Sequence, residues 1–575
     1  MRGLKKIWNS KWWWAFFVPL LIAINWVASV KHTRIDLTNE KRFTISKDSR
    51  TILRSMEEPV RIEVLLKGEY PGWYKRISSV TQDFLSEAKE IAGLNLQYKF
   101  VSPSDTFPGM GISYAEKIEN DQRFFDFLQP INLTSQLKEG QQQSWAYPIA
   151  IVHYKDTFNY VSLLPAKVKS LSDDNAAIVI NSIEAMMEYK IVNAIGKITK
   201  NKKPIIGYAI GNGEPVEYET FDMVENAIKP NYDFFTVNLL GQSQIPKEMN
   251  ALLLVKPKEK FGEYEKLKLD QYIMNGGKVF MCIDRLDAET DSLEIKNEVI
   301  AYDRGLNIED QLFKYGVRIN TDLIMDLQCD YLPFDISGNG QFELLPWNYF
   351  PLLNSANNHS INKNLGLVSG RFVNSIDTVD AKGIRKTVLL YSSPNARKIG
   401  TPALISGAQN VIAPQDQKYR TPDIPAAVLL EGKFSSLYAN RLTAVMNDSI
   451  KKNGGVFKSV CAEDNKMIVV SDGDIVLNEK FNNIPTPMGT NKYTFDPNRS
   501  FTFSNKDFLL NCLDYLVDEN GIIEAKSKDY TPYLLDAKKT ESEKYFWQSI
   551  NIIVPVSMVV IFAAVFVFVR KRKFT

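Results

Sequence analysis

A chain of 575 residues, 45% hydrophobic and 24% charged, has apolar material enough for three or four cored domains. Its 69 basic and 67 acidic side chains nearly cancel, so no electrostatic footprint of a nucleic-acid partner is present. The four cysteines (Cys282, Cys329, Cys461, Cys512) and three histidines (His32, His153, His359) are widely scattered. That spacing argues against a disulfide framework or a zinc site and for free buried thiols.

At the N-terminus, Arg2, Lys5, Lys6 and Lys11 (in a cytoplasmic stretch, residues 1–11) precede 19 uncharged residues, 12–30. Trp12, Trp13 and Trp14 lead this stretch, and tryptophan favours the headgroup level of a membrane. Val27-Ala28-Ser29 would serve as a signal-peptide cleavage site, but the apolar run is long and Trp-rich, so the reading is a retained first span. Residues 34–43 are polar and leave the membrane. Ser46 is placed to cap a helix running to about residue 56. Residues 60–66 (VRIEVLL) alternate as a strand, residues 74–91 have helical period, and residues 94–101 form a second strand. This β-α-β unit implies a parallel pair with a right-handed crossover.

A thioredoxin-like α/β domain over residues 35–171 fits that order, completed by a helix over 114–128 and strands over 147–154 and 160–164. Redox catalysis is excluded, because no cysteine occurs before Cys282 to supply the attacking and resolving thiols. Residues 172–200 read as a connecting helix. Its stripe of Ile180, Ile183, Met187, Ile191, Ala194 and Ile198 faces a core, with a partner-binding face as the alternative.

Lys202-Lys203-Pro204 ends that helix and opens a larger domain, 201–524. Near-continuous apolar strands at 205–210, 233–239, 251–256 and 278–283, separated by a helix reaching about residue 228 and one over 262–274, indicate a doubly wound sheet, flavodoxin- or Rossmann-like, covered on both faces. Further strands are expected at 388–391, 426–430 and 467–470. Residues 338–363 are expected to make a surface excursion, 506–517 a closing helix, and 525–545 a solvated tether. Residues 546–569 then form 24 consecutive uncharged positions, followed by Arg570, Lys571, Arg572 and Lys573 in a basic tail, 570–575. A helix of that length reaches about 36 Å, against a hydrocarbon core of about 30 Å. The cations place this end, like the first, in the cytoplasm. The expected fold is thus α/β and anchored at both ends, with residues 35 to 540 outside the cytoplasm.

In an open doubly wound sheet, ligands bind beyond the carboxyl ends of the strands. The candidates there are Gly211, Asn212, Gly213 and Glu214, then Asp284 and Arg285, then Asp472 and Asp474 in Ser-Asp-Gly-Asp. The same segments also read as ordinary turns. They are not a dinucleotide fingerprint, since Val216 stands where the third glycine would fall. ATP hydrolysis is excluded as well: the Gly-Lys pairs at Gly196, Gly277 and Gly432 are followed by Ile198, Val279 and Phe434, with no hydroxyl for magnesium. No G-x-S-x-G or H-E-x-x-H occurs, and no catalytic residue, metal or cofactor is assigned. In the second span, Gln548, Ser549, Asn551 and Ser557 are candidates for hydrogen bonds to partner helices.

Residues 8–14 (WNSKWWW), 35–46 (IDLTNEKRFTIS), 58–76 (EPVRIEVLLKGEYPGWYKR) and 205–215 (IIGYAIGNGEP), with the paired terminal anchors, resemble the GldG family of Bacteroidetes. These are gliding-motility-associated ABC-transporter accessory, or "substrate-binding", proteins, and the resemblance runs over essentially the whole chain. It implies an inner-membrane protein with periplasmic domains, a polytopic permease partner (GldF-like) and a cytoplasmic ATPase partner (GldA-like). It implies no ligand residue. Two functions follow as expectations: a non-enzymatic accessory subunit that binds cargo or another envelope protein, or an envelope enzyme acting on glycans or peptides through the strand-end carboxylates.

Overall fold

The computed structural model describes residues 18–22, 25, 44–120, 131–137, 140–164, 176–200, 202–290, 293, 298–335, 339–355, 359–406, 416–495, 502–518, 521–523 and 537–574. The expected first span lies largely outside these; residues 18–22 and 25 are helical and exposed. The chain divides into two units, Met1–Lys528 and Asp529–Thr575.

In the first unit, Ser46 caps helix α1 (Lys47–Ser55) by accepting the amide of Ser49, as its position before the run predicts. Strand β1 (Val60–Val64), helix α2 (Gly72–Ala92) and strand β2 (Leu96–Phe100) follow, and β1 pairs with β2 in parallel. Strands β3 (Ile149–Tyr154) and β4 (Thr157–Ser162) add an antiparallel hairpin, for a sheet ordered β2-β1-β3-β4. One face of this sheet packs on α2 and on α3 (Ala176–Thr199); Ile62 and Val64 enter one continuous core with Ile180, Ile183, Met187 and Ile191. The other face is covered by residues around the short helix Tyr114–Glu119, through Phe107, Tyr114 and Ile118. Residues 121–128 of the expected longer helix lie outside the described set.

Of strands β5 (Ile205–Ile210), β6 (Asp233–Asn238), β7 (Ala251–Val255) and β8 (Lys278–Cys282), β5, β7 and β8 are buried runs, as their continuous apolar character predicts. Only β6, at the edge, is mostly exposed. Helix α4 (Glu263–Met274) lies between β7 and β8 in the chain. With β9 (Ile384–Tyr391), β10 (Pro425–Gly432) and β11 (Asn465–Val470) the sheet is ordered β9-β10-β11-β8-β7-β5-β6. It is mixed: β10 runs against both neighbours, whereas β11, β8, β7, β5 and β6 are parallel. Helix α5 (Asn505–Val517) closes it and is buried along almost its whole length.

Three expectations need correction. Residues 338–363 are not a surface excursion, because Glu343–Leu353 is an 11-residue strand paired with Cys329–Phe334. Trp347, Tyr349 and Phe350 from it build a separate core with Phe372 and Tyr419, and within the strand only Asn348 is an Asn or Gly. The helix expected up to residue 228 is broken into a 3-10 turn (Glu217–Thr220) and a π-helical segment (Asp222–Ile228). At the break the Asp222 amide donates to the Asn478 side chain, and the Asp222 carboxylate accepts from the Met488 amide and the Lys506 ammonium. In the second unit, the expected tether is helical from Ala537, where a 38-residue helix α6 (Ala537–Phe574) begins.

The connecting helix α3 does more than join two domains. Asp514 of α5 is buried against it, accepting from Tyr189 at 2.9 Å, Asn193 at 3.1 Å and Lys197 at 2.8 Å, and from Tyr232 beside β6. Burial opposes the charge, but Lys197 and the two tyrosines hold this carboxyl below the usual range. The two α/β portions thus share one core and one buried polar knot.

Candidate functional site

The order of the larger sheet reverses beside β5: β6 lies on one side, and β7, β8 and β11 follow on the other. In open α/β sheets such a reversal leaves a crevice at the carboxyl ends of the two central strands. Here the loops fill it themselves. The carbonyl of Asn212, after β5, accepts the amides of Lys258 and Glu259, after β7, both at 2.8 Å. Gly213 makes this approach with φ of 77°, and a Cβ there would lie 3.1 Å from the Lys258 side chain. Glu214 turns back to accept the Asn212 amide at 2.7 Å, and burial raises its carboxyl above the usual range. Gly211, Asn212, Gly213 and Glu214 therefore bind one another and the neighbouring loop.

The centre of the site is Lys256, a residue that strand reading treated only as the end of an apolar run. Its backbone is left-handed, with φ of 46°, and its side chain is 5% exposed. The ammonium meets Asp474 at 2.7 Å, Glu289 at 2.9 Å and Asp284 at 3.5 Å. Burial works against its charge, but Asp474, Asp284 and Glu289 together raise its pKa well above that of a free lysine. Glu289 also pairs with Arg304, which reaches Asp287 at 3.2 Å. Gly473 lies against the Lys256 stem; a Cβ there would stand 2.6 Å from it, so only glycine fits. The Gly473 amide donates to Asp284, joining the loops after β8 and β11.

Three of the expected residues, Asp284, Asp472 and Asp474, come together in this cluster, with distinct protonation. Burial pushes the carboxyl of Asp284 up to about 6, with Lys256 opposing and Asp474 reinforcing the shift. Asp472 is raised well above the usual range by burial and by Asp284 and Asp474; it accepts the Arg371 and Asp474 amides, each at 2.8 Å. Asp474 stays low despite burial because Lys256 and Arg371 face it. Arg285 turns away, pairing with Asp303 at 2.8 Å beside an apolar crevice lined by Ile283, Leu306 and Ile308. Chemically, Lys256 is held as a saturated cation and is no nucleophile. The carboxylates spend their oxygens on Lys256, on Arg304 and on backbone amides, and so lock the loops after β7, β8 and β11 together. Among the described residues no group of three or more His, Cys, Asp or Glu side chains is arranged to hold a metal ion, and the four cysteines are buried free thiols.

Sequence reading also passed over a second buried cluster. Glu63, on β1, is fully buried and accepts from Tyr114 at 2.7 Å; His153 lies 3.0 Å and Lys99 3.1 Å away. It occupies a polar position of an alternating strand, which ordinarily points to solvent.

In unit two, α6 contains a 32-residue stretch, Glu541–Arg572, long and apolar enough to cross a membrane, with none of its apolar window buried. Within it Ser549 donates to the Tyr545 carbonyl at 2.7 Å.

Two family models match the chain. One, described as ABC-type uncharacterized transport system, matches residues 203–512, just over half of the chain; the other, a domain of unknown function (DUF7088), matches residues 39–153. An uncharacterized protein of Borreliella burgdorferi is 20% identical over 565 residues, covering 95% of each chain. Among solved structures, the mmIFT52 N-terminal domain aligns at 12% identity over 55% of this chain and 97% of its own, with a TM-score of 0.31, too low to carry a fold assignment.

Proposed function

Because the chain belongs to the family described as ABC-type uncharacterized transport system, we propose that it is a non-enzymatic accessory subunit of a gliding-motility ABC transporter. Membership makes it an auxiliary component of an ABC transport system and associates it with transporter components. In our reading, residues 12–30 and 546–569 both span the inner membrane, both termini are cytoplasmic, and the α/β body is periplasmic. A GldF-like permease lies beside it, a GldA-like ATPase drives the pair, and the body binds cargo or another envelope protein.

The observation that carries this reading is α6, an apolar helix with none of its apolar window buried and four cations at its end, attached to a body matched by a transport family. The thioredoxin-like assignment of the first domain is supported by its β2-β1-β3-β4 order with one parallel pair. The doubly wound assignment of the second is supported by five parallel strands and a reversal beside β5. The non-enzymatic part draws on Lys256, whose pairing leaves the strand-end acids tied to structure. One observation favours the enzyme reading instead: Asp284, pushed up to about 6, titrates where a general acid would.

The test is affinity purification of the full-length protein from native membranes in mild detergent. A polytopic permease and an ATPase should accompany it, and the ATPase activity should fall when residues 546–569 are replaced by an unrelated span. Recovery of the chain alone would count against the transporter role. Loss of function on Asp284→Asn, in protein that still folds and assembles, would favour the enzyme.

A further inference from the structure

Helix α6 is apolar but not uniform. Pro555 lies inside it, and a proline nitrogen has no hydrogen to donate, so the carbonyl of Asn551, four residues earlier, loses its helical partner. At 100° per residue, Gln548, Asn551 and Pro555 fall within about 60° of one another on the helix surface. Gln548 and Asn551 are exposed. Ser549, a quarter-turn away, has already given its hydroxyl to the Tyr545 carbonyl. Ser557 lies about 180° from Gln548. Gln548, Asn551 and the backbone break at Pro555 therefore make one seam along one side.

With residues 546–569 as the span, Asn551 stands about 10 Å and Pro555 about 4 Å from its centre. Both lie inside the half-thickness of about 15 Å that hydrocarbon occupies. At that depth no water reaches a free carbonyl or amide, and a protein partner must satisfy them. We propose that the Gln548–Asn551–Pro555 seam docks a transmembrane helix of the transporter's membrane subunit, one that brings a hydroxyl or amide N–H to the carbonyl of Asn551. This rests on the membrane-accessory reading above. Two observations select that occupant over a second copy of this chain. Family membership associates the protein with transporter components. The same face also carries the bulky, exposed Ile552, Met558 and Phe562, which keep two such helices from the close backbone approach that small residues permit.

The test uses the full chain in its native membranes. Asn551→Leu, Pro555→Ala and the two combined are compared with Ala564→Leu, about 160° from Gln548 on the opposite side. Alkaline carbonate extraction reports insertion, and mild-detergent purification reports the accompanying polytopic transporter subunit. All forms should remain inserted, while recovery of that subunit falls about ten-fold for the combined variant and little for Ala564→Leu. A photo-crosslinking side chain at position 551 should attach to the same subunit. Unchanged recovery with the combined variant, or a crosslink only to a second copy of this chain, overturns the seam and leaves the membrane reading standing. Release of the unaltered chain by carbonate overturns the membrane reading, and the seam with it.

Discussion

Each sheet buries one charged group at its heart, and the two have opposite stoichiometry. Glu63 is one carboxylate among several donors: Tyr114, His153 and Lys99 surround it, and Arg61 stands 3.5 Å away. Lys256 is one ammonium among several acids. Burial opposes charge in both places, but the donors around Glu63 hold its carboxyl down at about 2, led by His153, Tyr114 and Lys99. Around Lys256 there are too few cations to go round, so Asp284 rises to about 6 and Asp472 is raised as well. What a buried carboxylate does is set by the count of its neighbours' charges.

The strongest way to break the comparison is Lys256→Met. It leaves Asp284, Glu289 and Asp474 facing one another without a cation, and removing one partner of a buried ion pair costs about 3–5 kcal/mol. Denaturant unfolding of the purified full-length protein should show that loss. A change below about 1 kcal/mol would mean that the acids simply take up protons.

Next comes pH, to which the two clusters should respond in opposite senses. The folded state holds the proton of Asp284 up to about 6, against an ordinary 3.8, so this group favours folding fully below 3.8, and that contribution is lost as pH rises through 6. For Glu63 the contribution is present above 4.5 and lost as pH falls toward 2. Hydrogen exchange, corrected for its intrinsic pH dependence, should show β8 gaining protection between pH 6 and 4 by on the order of 2–3 kcal/mol, while β1 loses protection only below 4.5.

Glu63→Gln sharpens the contrast on the other side. It exchanges charge-assisted hydrogen bonds for neutral ones beside Tyr114 and His153, and should cost about 2 kcal/mol in the same unfolding measurement. The Lys99 contact contributes little, because its side chain is half-exposed.

The smallest effect is expected from Asp284→Asn. Lys256 keeps Asp474 and Glu289, and an amide avoids the burial of a third charge, so stability at pH 7 should change by less than about 1 kcal/mol. The gain of β8 protection between pH 6 and 4 should vanish with it.

Local pattern was a good guide wherever one segment answers for its own surroundings. The apolar runs of β5, β7 and β8 are the buried strands they promise, and the stripe on α3 faces a core. Ser46 caps its helix, and residues 546–569 form an exposed apolar helix. The rule that ligand loops follow strand ends also led to the neighbourhood of Lys256, since Asp284, Asp472 and Asp474 do meet there. Local pattern misled at residues 338–363, where Asn and Gly flank a buried strand.

Periodicity, charge-free length and capping by themselves determined the α/β class, the principal strands and the membrane-competent helix, because each depends on residues within a few positions of one another. Tertiary structure alone decided the fate of the polar groups. Glu63 has the alternation of a solvent-facing residue and is buried because residues around Tyr114 cover that face of the sheet. Lys256 finds Asp284 and Asp474 across 28 and 218 positions, and Asp514 meets Tyr189 across 325. The antiparallel course of β10 belongs to the same class. A carboxylate's chemistry follows from the charges within a few ångströms of it, and the fold, not the neighbouring sequence, brings those charges there.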